Sequence, residues 1–445
     1  MPILTSGIVS LLTGLLLWFT TRKTERELRK RDGYLIVTLG WLIMSLFGTL
    51  PYLLSGTIPS FTDAFFETIS GFTTTGASIL NDIESLPKGI LFWRSLTQWI
   101  GGMGIIVLAV AILPLLGIGG MQLFIAEAPG LKPDKLQPRI AQTAKRLWLI
   151  YFALTLAEFV LLKIAGMNYF DAINHALTTM ATGGFSTKQE SMAFYGPSIQ
   201  YIVIAFMFLA GTNFTLTYFG FKGNFKKIWQ NEEFRVYLIL VLLLSFIIGS
   251  VIYLVAGSPL EQAFRDALFQ VISIVTTTGF VSADYTSWVP FLTILFFMMM
   301  FLGGSAGSTA GGVKIVRHVL LLKNGILELK RQIHPAAVIP VRLNKRAVSQ
   351  DITFNVLAFI MIYLTVTVVS TVVMGMLGND FLTSLGSVAT SLGNIGPGIG
   401  SVGPLDNFSA IPSGGKWFLS FLMLLGRLEL FTVLILFTPY FWNRS

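Results

Sequence analysis

Long apolar stretches dominate the chain, at 1–21, 34–56, 91–117, 147–166, 199–220, 236–256, 291–322, 353–377 and 417–438, with shorter polar segments between them. Each reaches or nears the roughly 20 residues that cross about 30 Å of hydrocarbon in helical form. The stretches are apolar all round and lack the ten-residue alternation of a membrane barrel, so the pattern predicts nine helical spans. Residues 1–21 carry no charged side chain, and the basic run RKTERELRKR follows at 22–31. That order predicts a membrane helix whose C-terminal end faces the cytoplasm, because a cleavable signal would place its positive charges first.

Composition supports this. Of 445 residues, 53% are hydrophobic and 12% charged, against about a quarter charged in a soluble globular protein. The net charge of +9 acquires meaning only when the charges are placed. Linkers 21–33, 118–146, 221–235 and 313–352 hold 23 of the 31 Lys and Arg residues, on alternate sides of successive spans. The positive-inside rule makes those four linkers cytoplasmic. The opposite segments, 57–90, 166–196, 257–290 and 378–416, carry eleven carboxylates, among them Asp63, Glu67, Asp82 and Glu84, and predict an outer face attractive to cations. The charge excess is thus a topology signal and predicts no nucleic-acid partner. The chain has no Cys and only His175, His318 and His334, which leaves no thiolate site and no clustered histidines for a metal.

The four outward segments repeat one pattern: DAFFETISGFTTTGAS from Asp63, DAINHALTTMATGGFS from Asp171, DALFQVISIVTTTGFV from Asp266 and DFLTSLGSVATSLGNI from Asp380. In each, a Gly follows the Asp by 13 residues, giving Gly76, Gly184, Gly279 and Gly393. Four matches at equivalent topological positions predict internal repetition. Each unit reads as outer-going helix, short descending helix opened by its Asp, extended Gly-containing segment and returning helix. The fold class expected is all-α integral membrane, with four parallel units around a central pore as in potassium channels. The expected divisions are 1–33, 34–117, 118–220, 221–330 and 331–445.

An extended segment at membrane depth is tolerated only where it faces a protein-enclosed cavity. Glycine brings its carbonyl inward without a Cβ, and Thr73–Thr75 and Thr276–Thr278 keep carbonyls available and add hydroxyls. Neutral oxygens of this kind replace the hydration shell of K⁺. The short helices point their negative C-terminal ends at the same place, which favours a cation over an anion.

On SGFTTTGAS (70–78), TMATGGFST (179–187), VTTTGFVSADY (275–285), SLGNIGPGIG (391–400), GGSAGSTAGGVK (303–314) and GRLE (426–429), the sequence resembles the Trk/Ktr/HKT superfamily of potassium-uptake membrane subunits over almost its whole length. The resemblance implies K⁺ as the transported ion, no organic cofactor, and a filter built from Thr74, Thr75, Gly76, Thr182, Gly183, Gly184, Thr277, Thr278, Gly279, Ser391, Leu392, Gly393 and Asn394. Gly at the first-repeat position is the potassium-type choice, where sodium-carrying relatives have Ser. The resemblance also implies a homodimer with one pore per protomer in the bacterial cytoplasmic membrane, and a cytosolic nucleotide-binding ring of the TrkA/KtrA-like type as regulatory partner. Membrane lipids are the remaining partners expected.

The returning span of the third repeat meets LGGSAGSTAGG, where Gly303, Gly304, Gly307, Gly311 and Gly312 fill five of ten positions. At about 1 kcal/mol per Gly against Ala, helix should give way there to an unwound loop beneath the filter. This is the expected gate, with Ser305 within it and Lys314 and Arg317 anchoring it at the inner interface. Arg427, deep in the last span, must face water or pair internally. It is expected to raise a barrier below the filter, by the family likeness, or else to hold a buried carboxylate or carbonyl. Glu158 is expected to make a helix-packing hydrogen bond and His175 a packing or capping contact. No serine-hydrolase order, zinc-protease motif or phosphate-binding Walker loop occurs, so no enzymatic activity is expected. The alternative considered is a sodium- or potassium-coupled symporter; its inverted repeats and paired broken helices are not apparent, since only one returning helix reads as clearly broken.

Overall fold

The structure is a computed structural model that describes residues 2–22, 30–107, 137–335, 337 and 339–443. The C-terminal part of the third expected span, 91–117, and most of the basic linker 118–146 lie outside the described residues. Helix dominates the rest. Five helices are long and apolar enough to cross a membrane, or seven if two bent pairs each count as one, among the described residues.

Four units follow a first helix at Pro2–Thr21. Their outer-going helices are Lys30–Gly48 with its continuation Leu50–Ser55, Gln137–Ile164, Glu232–Ala256 and Gln350–Met376. The descending pore helices are Phe61–Phe72, Tyr169–Met180, Leu260–Val275 and Phe381–Gly393. Ser60, Asn168 and Asp380 cap the first, second and fourth, each side chain accepting a backbone N–H at the third helical position. Such a cap is worth about 1 kcal/mol. Asp63 and Asp171 therefore sit inside the first turn and do not open their helices, and Asp266 lies further in still.

The first and second return helices lean on the pore helix of the following unit, and the fourth closes the circle by packing on the first. At that seam Lys416 Nζ donates to Asp63 Oδ1 at 2.7 Å, Trp417 Nε1 donates to Thr62 Oγ1 at 3.2 Å, and the Trp417 ring stacks on Phe65 at 4.7 Å.

Among the described residues three return helices are broken, not one. Pro197–Ala210 turns 110° into Phe214–Phe221, and Ser413–Arg427 turns 113° into Phe431–Phe437. Asn213 starts the new direction in the first by capping Thr215 N. In the second, Glu429 (φ 58°) and Leu430 (φ 40°) take left-handed backbone, costly for residues with a Cβ and tolerated only where neighbours enforce it. The third stops at Met299 and resumes at Ile315, where the glycine run was expected to unwind it. A two-stranded hairpin, Arg342–Leu343 with Arg346–Ala347, interrupts the last linker and turns through Asn344 and Lys345, both left-handed.

Polarity is arranged for lipid. Leu242, Leu243 and Phe246 are exposed on the outside of their helix, while Thr, Ser, Gln and Asn side chains crowd the buried centre. Polar groups collect where protein can satisfy them and apolar ones face outward.

Candidate functional site

After each pore helix the chain turns back on itself in the same way. Thr75 N donates to Ser70 O at 2.9 Å, Gly183 N to Thr178 O at 2.9 Å, Thr278 N to Ser273 O at 2.8 Å and Ile395 N to Thr390 O at 3.0 Å. The residue before each is left-handed: Thr74, Thr182, Thr277 and Asn394, all with φ between 52° and 55°. The residue after each is a glycine with positive φ: Gly76, Gly184, Gly279 and Gly396.

The fourth position corrects the sequence register. Ser391, Leu392 and Gly393 lie in the last turn of their pore helix, and of the four expected there only Asn394 enters the extended segment. The physical reason is the cap. Asp380 is the N-cap, the place of Ser60 and Asn168, so its interval to the positive-φ glycine is 16 residues, as 60 to 76 and 168 to 184 are.

These glycines join the segments into a ring. A Cβ at Gly76 would lie 2.2 Å from Gly183 O, at Gly184 2.0 Å from Thr278 O, at Gly279 1.8 Å from Ile395 O and at Gly396 2.9 Å from Thr75 O. The contacts run once around and return to the start, each glycine meeting the carbonyl that precedes the next glycine. Only a residue without a side chain fits at such an approach. A small cavity of about 80 Å³ touches all four glycines, and no residue of 303–312 lines it. The four pore helices end against the ring, so their C-terminal partial negative charges converge on it.

A second layer holds the ring from behind. Nine residues before each ring glycine stand Glu67, His175, Gln270 and Ser387. Glu67 accepts from Ile79 N at 3.0 Å and Ser78 Oγ at 3.1 Å, and pairs with Arg94 at 2.6 Å. Arg94 reaches on to Ser186 O at 2.9 Å and lies over the Phe185 ring. His175 bonds Asp171 O and Ser186 Oγ, and Gln270 donates to Ala283 O. Gln98 donates to Gly183 O at 2.6 Å and accepts from Phe185 N at 3.1 Å. The expectation that Glu67 adds to an outward negative surface is corrected: it is fully buried and neutralised by Arg94. Arg94 escaped notice although it is a charge inside an apolar stretch, the same signal that singled out Arg427 and Glu158. Glu158 is fully buried with its carboxylate facing Thr179 of the second pore helix, though neither oxygen has a close hydrogen-bond partner among the described residues.

Below the ring lies the glycine loop. Gly303 N donates to Val313 O at 2.9 Å, so the loop leaves and re-enters at one point, and Ile315 N donates to Gly304 O at 3.2 Å. Ser305 N donates to Gly211 O, and Gly307 O accepts from Phe214 N, both in the break of the second return helix. Gly311 N donates to Thr277 Oγ1 at 2.6 Å, and Thr309 Oγ1 lies 3.0 Å from Met180 O. The loop thus touches the ends of the second and third pore helices directly, and Gly307 and Gly312 take the left-handed turns that shape it. Lys314 Nζ donates to Ala310 O within the loop, and Arg317 pairs with Glu429. Arg427, 2% exposed, donates to Thr309 O at 2.8 Å and Gly101 O at 3.2 Å. It therefore ties the loop to the first and fourth return helices through carbonyls.

Residues 1–443 match the TrkH family, described as cation transport protein. The chain is 46% identical over 442 residues to the Trk system potassium uptake protein TrkH of Escherichia coli strain K12, covering 98% of this chain and 91% of that one. It is 44% identical to the protein of the same name from Vibrio parahaemolyticus over 450 residues, covering 99% and 92%. The crystal structure of the potassium transporter TrkH from Vibrio parahaemolyticus superposes with a TM-score of 0.91 at 42% identity, covering 99% of this chain and 92% of that one.

Proposed function

Because the chain belongs to the TrkH family of cation transport proteins, we propose that it carries potassium selectively through the ring of Gly76, Gly184, Gly279 and Gly396. The observation that carries this reading is the closed circuit of glycine-to-carbonyl contacts. It supplies uncharged oxygens from four sides at one level, as dehydration of K⁺ requires. No carboxylate belongs to the ring, so an ion there is bound by dipoles and is free to leave.

In the same reading the loop Gly303–Gly312 is the gate and Arg427 its latch, since the loop fills the space on one side of the ring and Arg427 holds it by Thr309 O. A guanidinium at that depth also repels an approaching cation. The chain has no nucleotide-binding motif of its own, so regulation falls to a cytosolic nucleotide-binding ring docking on the basic linkers. The functional unit is a homodimer with one complete pore per protomer, set in the bacterial cytoplasmic membrane with the ring toward the outside. The names of the relatives support potassium uptake, and the repeats all share one orientation, unlike the inverted repeats of alternating-access carriers.

Purified protein in sealed vesicles tests the reading. Potassium flux driven by its own gradient and by voltage, well above sodium flux, is the expected result. Flux that stops unless a sodium or proton gradient is also imposed would replace the pore with a coupled carrier.

A further inference from the structure

The break after Ala210 sends the chain sideways, and the two short helices that follow, Phe214–Phe221 and Phe225–Gln230, present a mixed surface. Phe221, Phe225 and Trp229 are 64%, 60% and 58% exposed. Lys222, Lys226 and Lys227 alternate with them. Exposed aromatic rings interleaved with lysines, at the end of one span and the start of the next, suit the boundary between hydrocarbon and headgroups.

This segment and the hairpin residues Leu343–Val348 line a cavity of about 650 Å³. Lys227, Arg235, Lys345 and Arg346 line it. Among the described lining residues Glu232 is the sole carboxylate, and it is already paired with Lys323. Lys227 lies over the Phe219 ring at 4.1 Å, which holds its stem at the wall. Glu232 N donates to Asn344 Oδ1 at 2.8 Å, fixing the hairpin to the first turn of the helix that carries Arg235. The hairpin's left-handed turn sets Lys345 at its tip.

From this geometry we infer that the cavity binds the headgroup of an anionic phospholipid of the inner leaflet. Lys227, Arg235 and Lys345 come from three separate elements and match a phosphodiester, the one lining carboxylate being paired with Lys323, and the exposed Trp229 lines the cavity, with Phe221 and Phe225 earlier in the same segment, where acyl chains would run. The ligand would sit close to the gate, because Asn213 also lines the cavity and a Cβ on Gly307 of the loop would lie 3.3 Å from its amide. The inference goes beyond transport, and its readout does not depend on flux.

The test uses the full chain in nanodiscs of mixed phosphatidylglycerol and phosphatidylcholine, released into a mass spectrometer so that retained lipids are counted. Wild-type protein should keep phosphatidylglycerol over phosphatidylcholine. A Lys227→Gln/Arg235→Gln/Lys345→Gln protein with an unchanged thermal unfolding curve should lose at least tenfold of that preference, since each basic residue near an anionic headgroup contributes roughly fivefold. An Arg31→Gln/Lys145→Gln/Lys330→Gln protein should keep it. Equal loss in both triples would reduce the effect to diffuse attraction and overturn the site. Displacement by inorganic phosphate as readily as by short-chain phosphatidylglycerol would make the ligand a free anion instead. Undiminished lipid retention in the first triple, with loss of binding to a cytosolic regulatory protein, would assign the surface to protein docking.

Discussion

Gly393 and Gly396 stand three residues apart and have opposite tolerances. Gly396 has φ +104°, outside the range of ordinary side chains, and its Cβ would meet a backbone carbonyl of the first repeat. Gly393 has no such φ, and its nearest neighbour at 2.9 Å is the flexible end of Ile395. Gly396→Ala should therefore weaken potassium preference over sodium by roughly tenfold, in line with about 1–3 kcal/mol of strain, and Gly393→Ala should leave ion ratios in vesicles near wild type. The opposite ranking would restore the register read from the Asp-to-Gly spacing. That spacing located three ring glycines and misplaced the fourth because an Asp serves equally well as N-cap or in the first turn. Only capping geometry separates the two. Arg94 and Glu67 make the other prediction at this scale. Removing one partner of a buried ion pair strands the other charge, at a cost of about 3–5 kcal/mol. Arg94→Gln should lower the unfolding temperature of solubilised protein sharply, and Glu67→Gln/Arg94→Gln should recover part of the loss.

Among elements, the glycine loop was legible because five helix-breaking residues in ten leave no other conformation, whereas the bends after Ala210 and Arg427 were not. GTN and RLEL carry no comparable composition; their bends are fixed by tertiary partners, Gly307 O for Phe214 N and Arg317 for Glu429. Since Gly303 and Val313 are already hydrogen-bonded, deleting 304–311 should join neighbouring ends with little strain. The shortened chain should fold and show potassium flux several-fold above the unregulated wild type. A folded deletion protein with unaltered flux would remove the loop from gating. Arg427→Ala should act in the same direction while leaving ion preference intact, because the side chain touches the loop and not the ring. Normalised flux at or below wild type would make Arg427 a packing residue only.

For the molecule as a whole, the ring is completed within one chain, so each protomer should conduct independently. In vesicles holding wild-type and Gly396→Ala protomers in varied proportion, potassium-selective flux should fall linearly with the wild-type fraction; a steeper fall would mean that a pore is shared. The seam of Lys416 and Trp417 with Asp63, Thr62 and Phe65 bears on how the protein is made. Synthesis runs from the N-terminus, so the first pore helix emerges some 350 residues before the partners that complete its packing. Contacts that distant in sequence form late and leave intermediates with uncovered surface. Three finished repeats must wait, side by side in the bilayer with an open flank, for the fourth to arrive. A ribosome halted before residue 413 would leave that flank open, a ready substrate for membrane proteases, so survival of the nascent chain depends on its last helix pair.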